Sequence, residues 1–483
     1  MVKKYILADE FHIHKRNFPS LFQHIDSIKA NYEFLLKKSD PLYKIINNHG
    51  NYKQIIIDKN VDIFGAFLLY YKIFSHLNPE DLFTYSLHQI NIFEVAKLET
   101  LSLLVTQYNW CEVDIKPDNR FIFDKAYGED RETLILNMAA AAFWITTWML
   151  RFEQIHSGHF CIVFSGSCTY GRTLMEVCRR TRSKCYVLES TFTGNDYFCE
   201  ELYQPIPNNS NIRFPTFRKQ LLTKFLADPN LIIEREIIKA KSKIVDIKNK
   251  NVTQPIASSL PKFKNQSKII LLAAQVVNDF SILVGHSSNL SSIYIYKNLI
   301  REILQKTDCN LIIKTHPWER KKVNLQSSFS YDKLATYLKS FPPEMAERVL
   351  LVEHENLYNL FSLSNYFVTL CSQSGLEAAL EGFKPIIIGE AFYSNAGFTT
   401  DYPTVADFIT DLVEDNCQST MNLHEYRNFE HFTLALFQAH TVSIHKSGVG
   451  VLNRLFAPTY ATIKQSRRSA HELTVKPKWF EAS

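Results

Sequence analysis

The sequence predicts two doubly wound α/β domains joined by a linker, and three observations support this prediction. The chain has 483 residues, more than the ~250–300 at which a single hydrophobic core stops growing. Short apolar runs alternate with longer amphipathic stretches in both halves, which is typical of parallel strands covered by helices. A polar, lysine-rich passage from Lys239 to Gln266 separates the halves. We therefore expect domains at residues 1–255 and 266–445, then a C-terminal helix and basic tail at 446–483 that pack back on the first domain.

In the first half, the apolar run YKQIIID predicts a strand, and FGAFLLYYKIF predicts a helix. The segment Leu134–Leu150 is strongly apolar, but it contains Asn137 and falls short of the ~20 residues that span a bilayer. We interpret it as a buried core helix. The stretch HFCIVFSGSCTYGRTLMEVCRRT then predicts a strand from His159 to Phe164, a turn and an amphipathic helix, and KCYVLES predicts the next strand. This order indicates a parallel sheet.

The alternation restarts after the linker. KIILLAAQ, NLIIKTHP and RVLLVE predict strands, whereas SSIYIYKNLIREILQKT and LYNLFSLS predict helices. YFVTLCSQSGLEAALEGFKPIIIGEAFY predicts a further strand, helix and strand. Two Rossmann-like, doubly wound domains facing each other across a cleft form the GT-B-like architecture of many sugar-nucleotide transferases, although a fold alone does not fix a function.

Composition excludes several classes of protein. Apolar residues make up 46% and charged residues 21%, as in soluble globular proteins. The net charge of +5 is too small to predict a nucleic-acid partner. The nine cysteines form no CxxC pair, and the start MVKKYILADEF lacks the long apolar segment of a secretion signal, so we expect reduced thiols and a cytoplasmic location. A basic cluster at Ile463–Lys478 is interpreted either as a solvated tail or as a contact with an acidic membrane surface.

Residues suited to a phosphate follow two predicted strands of the second half. Ser372, Ser374 and Gly375 lie where a strand passes into a helix, and hydroxyls and free backbone N–H groups there can hold an anion. Lys314 and His316, in KTHP, end another strand, and a histidine offers an N–H donor and, if protonated, a positive charge. The serines could instead cap the helix, and His316 could be a loop histidine without a ligand. Because both groups converge on one expected sheet edge, we predict a phosphate-bearing ligand there.

Glu377 lies three residues after Ser374, one helical turn into the predicted helix. Its carboxylate could complete a capping box, or it could accept hydrogen bonds from ribose hydroxyls. Both interpretations stay open at the level of the sequence.

Three stretches between residues 268 and 402 resemble, in order and spacing, the C-terminal half of the bacterial capsule polysaccharide β-Kdo transferases. They are ILLAAQVVNDFSIL, LIIKTHP and TLCSQSGLEAALEGFKPIIIGEAFYSNAGFTTD. They carry counterparts of the family elements Q-V-x-x-D, K-x-H-P, G-[LF]-E-A-L and F-Y-x-x-x-G-[LF]-T. The resemblance implies a GT-B enzyme that uses CMP-Kdo or a related CMP-activated 3-deoxy-ulosonic acid. It implies that His316, Ser372 and Ser374 hold the CMP phosphate and that Glu377 contacts the ribose. It also implies that Gln275 and Asp279 line the donor cleft. The residues assigned to the donor in this way are Gln275, Asp279, Lys314, His316, Ser372, Ser374, Gly375 and Glu377.

The first half resembles the same family at its W-G-R and E-D-G-F elements, which correspond here to YGR and to ESTF at Glu189–Phe192. The family aspartate falls on Ser190, so Glu189 is the remaining carboxylate at the strand end. The resemblance implies retention of configuration through a carboxylate nucleophile, and Glu189 and His316 are the catalytic candidates. Glu189 could instead be a general base, as in inverting CMP-sialic acid transferases, or a surface glutamate.

Three further residues are candidates for the sugar carboxylate or the acceptor: Arg172, Arg213 and Asp196. A guanidinium matches a carboxylate in a bidentate manner, but either arginine could equally be a structural ion-pair partner. No metal and no cofactor are expected, because the sequence has no HExxH motif and no DxD pair near these motifs. Protein donors alone can neutralise the single phosphate of a CMP leaving group.

The leading hypothesis is a glycosyltransferase that moves Kdo from CMP-Kdo to a capsule polysaccharide or a lipid-linked acceptor. We expect it in the cytoplasm, with peripheral contact at the cytoplasmic face of the inner membrane. Two alternatives stay open: an inverting CMP-sialic acid transferase, and a non-catalytic component of capsule assembly or export. The second is kept open by Ser190 in the place of the family aspartate.

Overall fold

The computed structural model describes residues 4–42, 52–58, 60–151, 160–206, 208–245, 263–284, 289–322, 325 and 327–456. The strands are β1 (Lys4–Asp9), β2 (Asn31–Leu36), β3 (Ser86–Leu87), β4 (Ile90–Asn91), β5 (Phe160–Phe164), β6 (Lys184–Ser190), β7 (Asp196–Glu201), β8 (Ile269–Ala273), β9 (Asn310–Lys314), β10 (Val349–Val352), β11 (Tyr366–Thr369), β12 (Ile386–Ile388), β13 (Thr400–Tyr402) and β14 (Thr441–Ser443).

Helices cover both sheets. The α-helices are α1 (Pro19–Ser27), α2 (Tyr52–Asp58), α3 (Val61–His76), α4 (Pro79–Thr84), α5 (Ile92–Leu104), α6 (Tyr108–Cys111), α7 (Asn119–Glu129), α8 (Arg131–Leu150), α9 (Thr169–Arg180), α10 (Pro215–Leu226), α11 (Ile233–Val245), α12 (Phe280–Leu283), α13 (Ser292–Lys306), α14 (Phe329–Leu338), α15 (Pro343–Ala346), α16 (Leu357–Phe361), α17 (Ser374–Leu380), α18 (Val405–Val413), α19 (Leu423–Ala435) and α20 (Gly448–Leu455). Short 3₁₀ turns lie at Asn211–Arg213 and Pro317–Lys321, and a π turn at Leu436–His440.

The first sheet has the order β14-β7-β6-β5-β1-β2. Strands β2, β1, β5 and β6 are parallel, β7 is antiparallel to β6, and β14 is antiparallel to β7. The parallel strands thus follow the flavodoxin-like order 2-1-3-4, in which ligands bind between the first and third strands, where the connections diverge. Here that switch point lies at the carboxyl ends of β1 and β5, beside Asp9.

The second sheet has six parallel strands in the order β10-β9-β8-β11-β12-β13. In chain order this is 3-2-1-4-5-6, the Rossmann arrangement, whose switch point lies between β8 and β11. The run Ile270–Leu272 in β8 is buried, as expected for a strand covered on both faces. The predicted pair of Rossmann-like domains in a GT-B-like fold is therefore confirmed.

The end of the described chain returns to the first domain. Strand β14 pairs with β7, and helix α20 packs on α1. The Phe456 ring then packs against Tyr5, Phe160 and Tyr186. Residues 441–445, which the sequence placed in the second domain, thus include a strand of the first sheet.

Among the described residues, one helix is long and apolar enough to cross a bilayer by length and composition, and this is α8. Within its most apolar window, 72% of the residues are buried, and it packs against α3, α5 and α9. The indole N–H of Trp148 donates to the Tyr170 carbonyl at 2.9 Å. The segment is the central core helix of the first domain, as expected, although the helix of 20 residues is longer than the sequence indicated.

Two predictions about elements differ from the structure. YKQIIID forms helix α2, not a strand, and its buried residues Tyr52 and Ile55 are one helical turn apart against α8. An apolar run this short carries no decisive periodicity. The expected linker begins inside helix α11, where Ile237, Ala240 and Ile244 are buried at helical spacing. The remainder of the linker at 246–262, His159 and the basic cluster at 463–478 lie outside the described residues.

Candidate active site

Gln275 joins the two loops at the switch point of the second sheet. It follows β8, and its Oε1 accepts the backbone N–H of Cys371, after β11, at 2.8 Å. Its Nε2 donates to Ser281 Oγ at 3.2 Å. Because the side chain is buried and its amide is engaged on both sides, Gln275 holds the cleft loops together instead of lining the donor cleft as a free group.

Asp279 begins the short helix α12 and accepts hydrogen bonds from the Ser281 N–H at 2.9 Å and the Ser281 hydroxyl at 2.8 Å. Its charge influences the pKa values of Glu189 and His316, which belong to different domains. The Asp279 carboxylate therefore lies at the cleft between the two domains.

His316 follows β9, as predicted, and its Nδ1 accepts the Trp318 N–H at 3.2 Å. This bond leaves the ring proton on Nε2. Burial, followed by the positive charges of Lys314 and Lys322, lowers the pKa of His316 to about 4, although the Asp279 carboxylate opposes this. The imidazole is therefore neutral near pH 7 and can offer an Nε2–H, but not the positive charge that the sequence left open.

Lys314 and Glu377 act on each other beside His316. Burial lowers the pKa of Lys314, and the Glu377 and Glu353 carboxylates oppose this. Burial also raises the pKa of Glu377 to about 7, against the pull of Lys314. The capping-box interpretation of Glu377 is wrong, because the N-cap of α17 is Gln373, whose side chain makes no cap hydrogen bond. The ribose interpretation remains.

The serine turn before α17 is tied by hydroxyl contacts. Ser372 Oγ accepts the Ser374 N–H at 3.2 Å and the Ser374 hydroxyl at 2.8 Å. A Cβ on Gly375 would come within 2.2 Å of the Tyr393 hydroxyl oxygen, and that hydroxyl donates to the Ser372 carbonyl. Glycine is needed at position 375 because the Tyr393 ring packs directly on the backbone.

Glu189 ends β6, and its Oε1 accepts the N–H of Ser190 at 2.9 Å. Burial raises the pKa of Glu189 to about 7, while the Ser165 hydroxyl and the Ser190 N–H stabilise the carboxylate. Asp279 raises this pKa further and His12 lowers it. Glu189 therefore lies in the cleft, near charged groups of both domains, and not on the outer surface.

Asp9, His12 and Tyr170 form a second cluster, which the sequence interpretation missed. Asp9 is fully buried, and its Oδ1 accepts the backbone N–H of His12 at 2.7 Å. The Tyr170 hydroxyl donates to Asp9 Oδ2 at 3.1 Å and lies 2.9 Å from His12 Nδ1. The signal was present in ILADEFHIH, where an aspartate and a histidine follow an apolar strand, because the strand-end rule that found His316 applies there as well.

Lys322 is a cation between the domains that was also missed. Its ammonium donates to Asn278 Oδ1 at 2.7 Å, and within the described ranges no carboxylate oxygen forms a salt bridge with it. Burial lowers the pKa of Lys322, and the Asp279 and Glu319 carboxylates oppose this. A partly desolvated ammonium at this place suits an anionic ligand.

The structure gives the other predicted anion-binding and acceptor residues structural partners. Arg172 donates to the Tyr203 carbonyl at 3.1 Å and lies 3.6 Å from Glu176. Arg213 donates to Glu390 Oε2, in the second domain, at 2.7 Å. The alternative of an ion-pair partner thus describes both arginines.

Asp196 is buried, and its carboxylate accepts hydrogen bonds from Lys243 at 2.6 Å and from Thr193 at 3.0 Å. These bonds fix the start of β7. Among the residues that the structure describes, no group of three or more His, Cys, Asp and Glu side chains is placed to hold a metal ion.

The two domains meet directly at this site. The backbone N–H of Phe192, in the ESTF loop, donates to Gln373 Oε1, in the serine turn, at 3.0 Å. The Asn278 amide donates to the Ser102 carbonyl at 3.2 Å. The acidic strand end of the first sheet and the serine turn of the second therefore face each other across one cleft.

Residues 217–439 match the family model described as capsule polysaccharide biosynthesis protein. This segment begins in helix α10 and includes every strand of the second sheet. No curated protein sequence matches the chain.

Several solved structures are similar to parts of the chain. KpsC of Thermosulfurimonas dismutans, described as a β-Kdo 2,4 transferase, is 17% identical over 62% of this chain and 87% of that chain, with a TM-score of 0.38. The β-Kdo 2,7 transferase of KpsC from the same organism is 16% identical over 64% and 89%, with a TM-score of 0.37. A UDP-forming trehalose-phosphate synthase of Burkholderia xenovorans is 11% identical over 68% and 78%, with a TM-score of 0.32. Overlaps of this extent assign neither a donor nor an acceptor.

Proposed function

We propose that the protein transfers Kdo or a related ulosonic acid from a CMP-activated donor, and the match of residues 217–439 to the capsule polysaccharide biosynthesis model supports this proposal. The acceptor in this proposal is a capsule saccharide or a lipid-linked saccharide. All nine cysteines are unpaired, which fits a reaction in the reducing cytoplasm.

One observation carries the proposal: Glu189 ends a strand of the first sheet at the cleft where the loop that follows it contacts the serine turn of the second sheet. The contact from Phe192 to Gln373 at 3.0 Å fixes the two loops against each other. Asp279 is close enough to Glu189 to raise the pKa of its carboxyl. A donor whose phosphate lies at the second sheet would then present its anomeric carbon toward the first.

The donor is assigned to neutral hydrogen-bond donors on its nucleotide side and to one positive charge on its sugar side. We assign the phosphate to the Nε2–H of His316 and to the hydroxyls of Ser372 and Ser374, because these groups lie at the ends of β9 and β11. Glu377 is assigned to the ribose hydroxyls. Lys322 takes the sugar carboxylate in place of the arginines.

Glu189 is assigned the role of nucleophile. Its ionised carboxylate attacks the anomeric carbon, the bond from that carbon to the phosphate oxygen breaks, and CMP leaves with the electron pair. The acceptor oxygen then displaces Glu189 from the same carbon, so two inversions give net retention. Where the family has an aspartate, this chain has Ser190. The carboxylate is supplied by the preceding residue, Glu189, in this assignment.

Calorimetry with CMP, together with release of CMP from CMP-Kdo, tests the proposal. We expect binding of CMP, and we expect His316→Ala to weaken it ~10–100-fold, since hydrogen bonds to charged groups contribute about 1.5–3 kcal/mol. His424→Ala is the matched control, because His424 is exposed on helix α19.

Binding without any CMP release would indicate the non-catalytic alternative. If CMP does not bind, the assignment of the donor is wrong. A product of inverted anomeric configuration by NMR would favour the inverting alternative with Glu189 as general base.

A further inference from the structure

We propose that His12 is the catalytic base that removes the proton from the acceptor hydroxyl, and that Asp9 and Tyr170 position it. This inference rests on the proposed function. It assigns to the first domain a part of the reaction that none of the sequence motifs covers.

His12 lies at the place in the first sheet where a ligand is expected. It follows β1, whose last residue is Asp9, and β1 and β5 flank the switch point of the flavodoxin-like order. The His12 ring stacks on Phe164 of β5, and Phe164 pairs with Leu188, the residue before Glu189 in β6, so the ring lies near the assigned nucleophile. An acceptor that enters from the first domain would therefore meet His12 and Glu189 together.

Three contacts fix the ring. Asp9 Oδ1 accepts the backbone N–H of His12 at 2.7 Å and lies 3.2 Å from its Nδ1. The Tyr170 hydroxyl lies 2.9 Å from the same Nδ1 and donates to the other oxygen of Asp9. The ring stacks on Phe164 with centroids 5.0 Å apart and an interplanar angle of 10°. These constraints leave the imidazole little freedom to turn.

The contacts also fix the tautomer. A carboxylate oxygen only accepts hydrogen bonds, so we assign the ring proton to Nδ1, which lies 3.2 Å from Asp9 Oδ1, and the lone pair to Nε2. No hydrogen bond to Nε2 is found within the described part of the chain, and 22% of the His12 side chain remains exposed. The buried carboxylate would stabilise the imidazolium that forms when Nε2 takes a proton.

The reaction requires such a base in addition to Glu189. In the second displacement the acceptor oxygen forms a bond to the anomeric carbon, and the bond from that carbon to the Glu189 oxygen breaks. The electron pair returns to the Glu189 carboxylate, which is the leaving group and cannot at the same time take the hydroxyl proton. That proton moves to His12 Nε2, and solvent later removes it from the imidazolium.

His12→Gln in the full chain tests the proposal, with CMP-Kdo as donor and water or azide as acceptor. We expect CMP to bind as in the wild type. Steady-state release of CMP with water should fall ~100-fold or more, the usual size of a general-base effect, because the second displacement then limits turnover. Azide has no proton to lose, so it should restore CMP release. Mass spectrometry should show a covalent Kdo adduct that accumulates on the variant.

Two further variants keep the test specific. His14→Gln, two residues away and partly exposed, is the control and should behave as the wild type. Asp9→Asn should lower kcat with little change in KM, because Asp9 acts only through His12.

The inference is overturned if His12→Gln releases CMP in water at the wild-type rate, or if azide fails to rescue the loss. A wild-type protein that neither binds CMP nor releases it from CMP-Kdo would overturn the proposed function itself, which separates the two failures.

Discussion

Burial sets the protonation of several side chains in the cleft more strongly than their charged neighbours do. It raises the pKa of Glu189 and of Glu377 to about 7 each, and it lowers the pKa of His316 to about 4. At neutral pH the site thus combines two half-ionised acids with a neutral histidine. A nucleophile with a pKa near the working pH retains basicity while a large fraction is ionised.

The pH dependence of kcat/KM reports the ionisation of Glu189. Since the reaction needs the carboxylate, kcat/KM should rise with pH through about 7 and level off above it. Glu377 titrates in the same range, so Glu377→Gln is the control, and it should keep the rise. A rate that is constant from pH 5 to 9 would contradict the assigned role.

The same groups affect stability. Unfolding returns both carboxyls to their ordinary pKa of 4.5, whereas in the folded protein it is about 7. Between these values the folded state binds more protons, so the free energy of unfolding should decrease as pH rises through this window. Chemical denaturation of the wild type and of Glu189→Gln at several pH values should show a shallower decrease in the variant.

Lys322 distinguishes the sugar carboxylate from the phosphate. If its ammonium holds the carboxylate, Lys322→Met should weaken binding of CMP-Kdo ~10–100-fold, the loss of one hydrogen bond to a charged group. Binding of CMP alone should change much less. Lys339→Met, at an exposed position after helix α14, is the control. If calorimetry shows an equal loss of affinity for CMP-Kdo and for CMP, Lys322 binds the phosphate and not the sugar carboxylate.

At the scale of elements, short helices at the cleft depend on packing against their neighbours. Helix α17 has seven residues and no side-chain cap, and isolated helices of this length are unstable in water. Buried residues Leu376 and Ala379 face the core, and Tyr393 packs against Gly375. The position of the serine turn is therefore decided by the core beneath it.

Gly375→Ala should displace Tyr393 and destabilise the protein by ~1–3 kcal/mol, the usual cost of overpacking. Gly128→Ala is the matched control, because an added Cβ there meets nothing within 4 Å in helix α7, and alanine favours a helix. Thermal denaturation should show a lower midpoint for the first variant and an equal or higher one for the second. CMP binding should weaken only in the first.

At the scale of the whole molecule, the C-terminal part of the described chain completes the first domain. The Phe456 ring is 6% exposed and contacts Tyr5, Phe160 and Tyr186 in the core of the first sheet. Strand β14 extends that sheet. The chain thus crosses from the first domain to the second and returns, which links the stability of the two.

Phe456→Ala should destabilise the first domain by ~3–5 kcal/mol, the range for removing a buried phenylalanine side chain. Phe121→Ala, at a ring that is 37% exposed, should have a smaller effect. Chemical denaturation followed by tryptophan fluorescence suits this test, since Trp110, Trp144 and Trp148 are all buried in the first domain. Equal effects of the two substitutions would mean that the C-terminal segment does not stabilise this core.

The sequence predicted those elements and residues whose signals are local. Alternation of strands and helices predicted both doubly wound sheets, and strand ends predicted His316 and the serine turn, whereas Glu189 came from the resemblance to the family element at ESTF. The same strand-end rule applies to Asp9, which follows the apolar run of β1 but lies outside the motifs that carry the resemblance. The run YKQIIID was misassigned because seven residues do not establish a period.

The amino-acid sequence by itself determined the fold class and the chemical types at the strand ends of the second sheet, since periodicity and motifs are properties of neighbouring residues. Only the tertiary structure decided which charges meet. It engaged Arg172 and Arg213 in structural bonds and placed Asp9 beside His12 and Tyr170. It also fixed protonation in the cleft, because desolvation depends on everything packed around a group and not on its position in the chain.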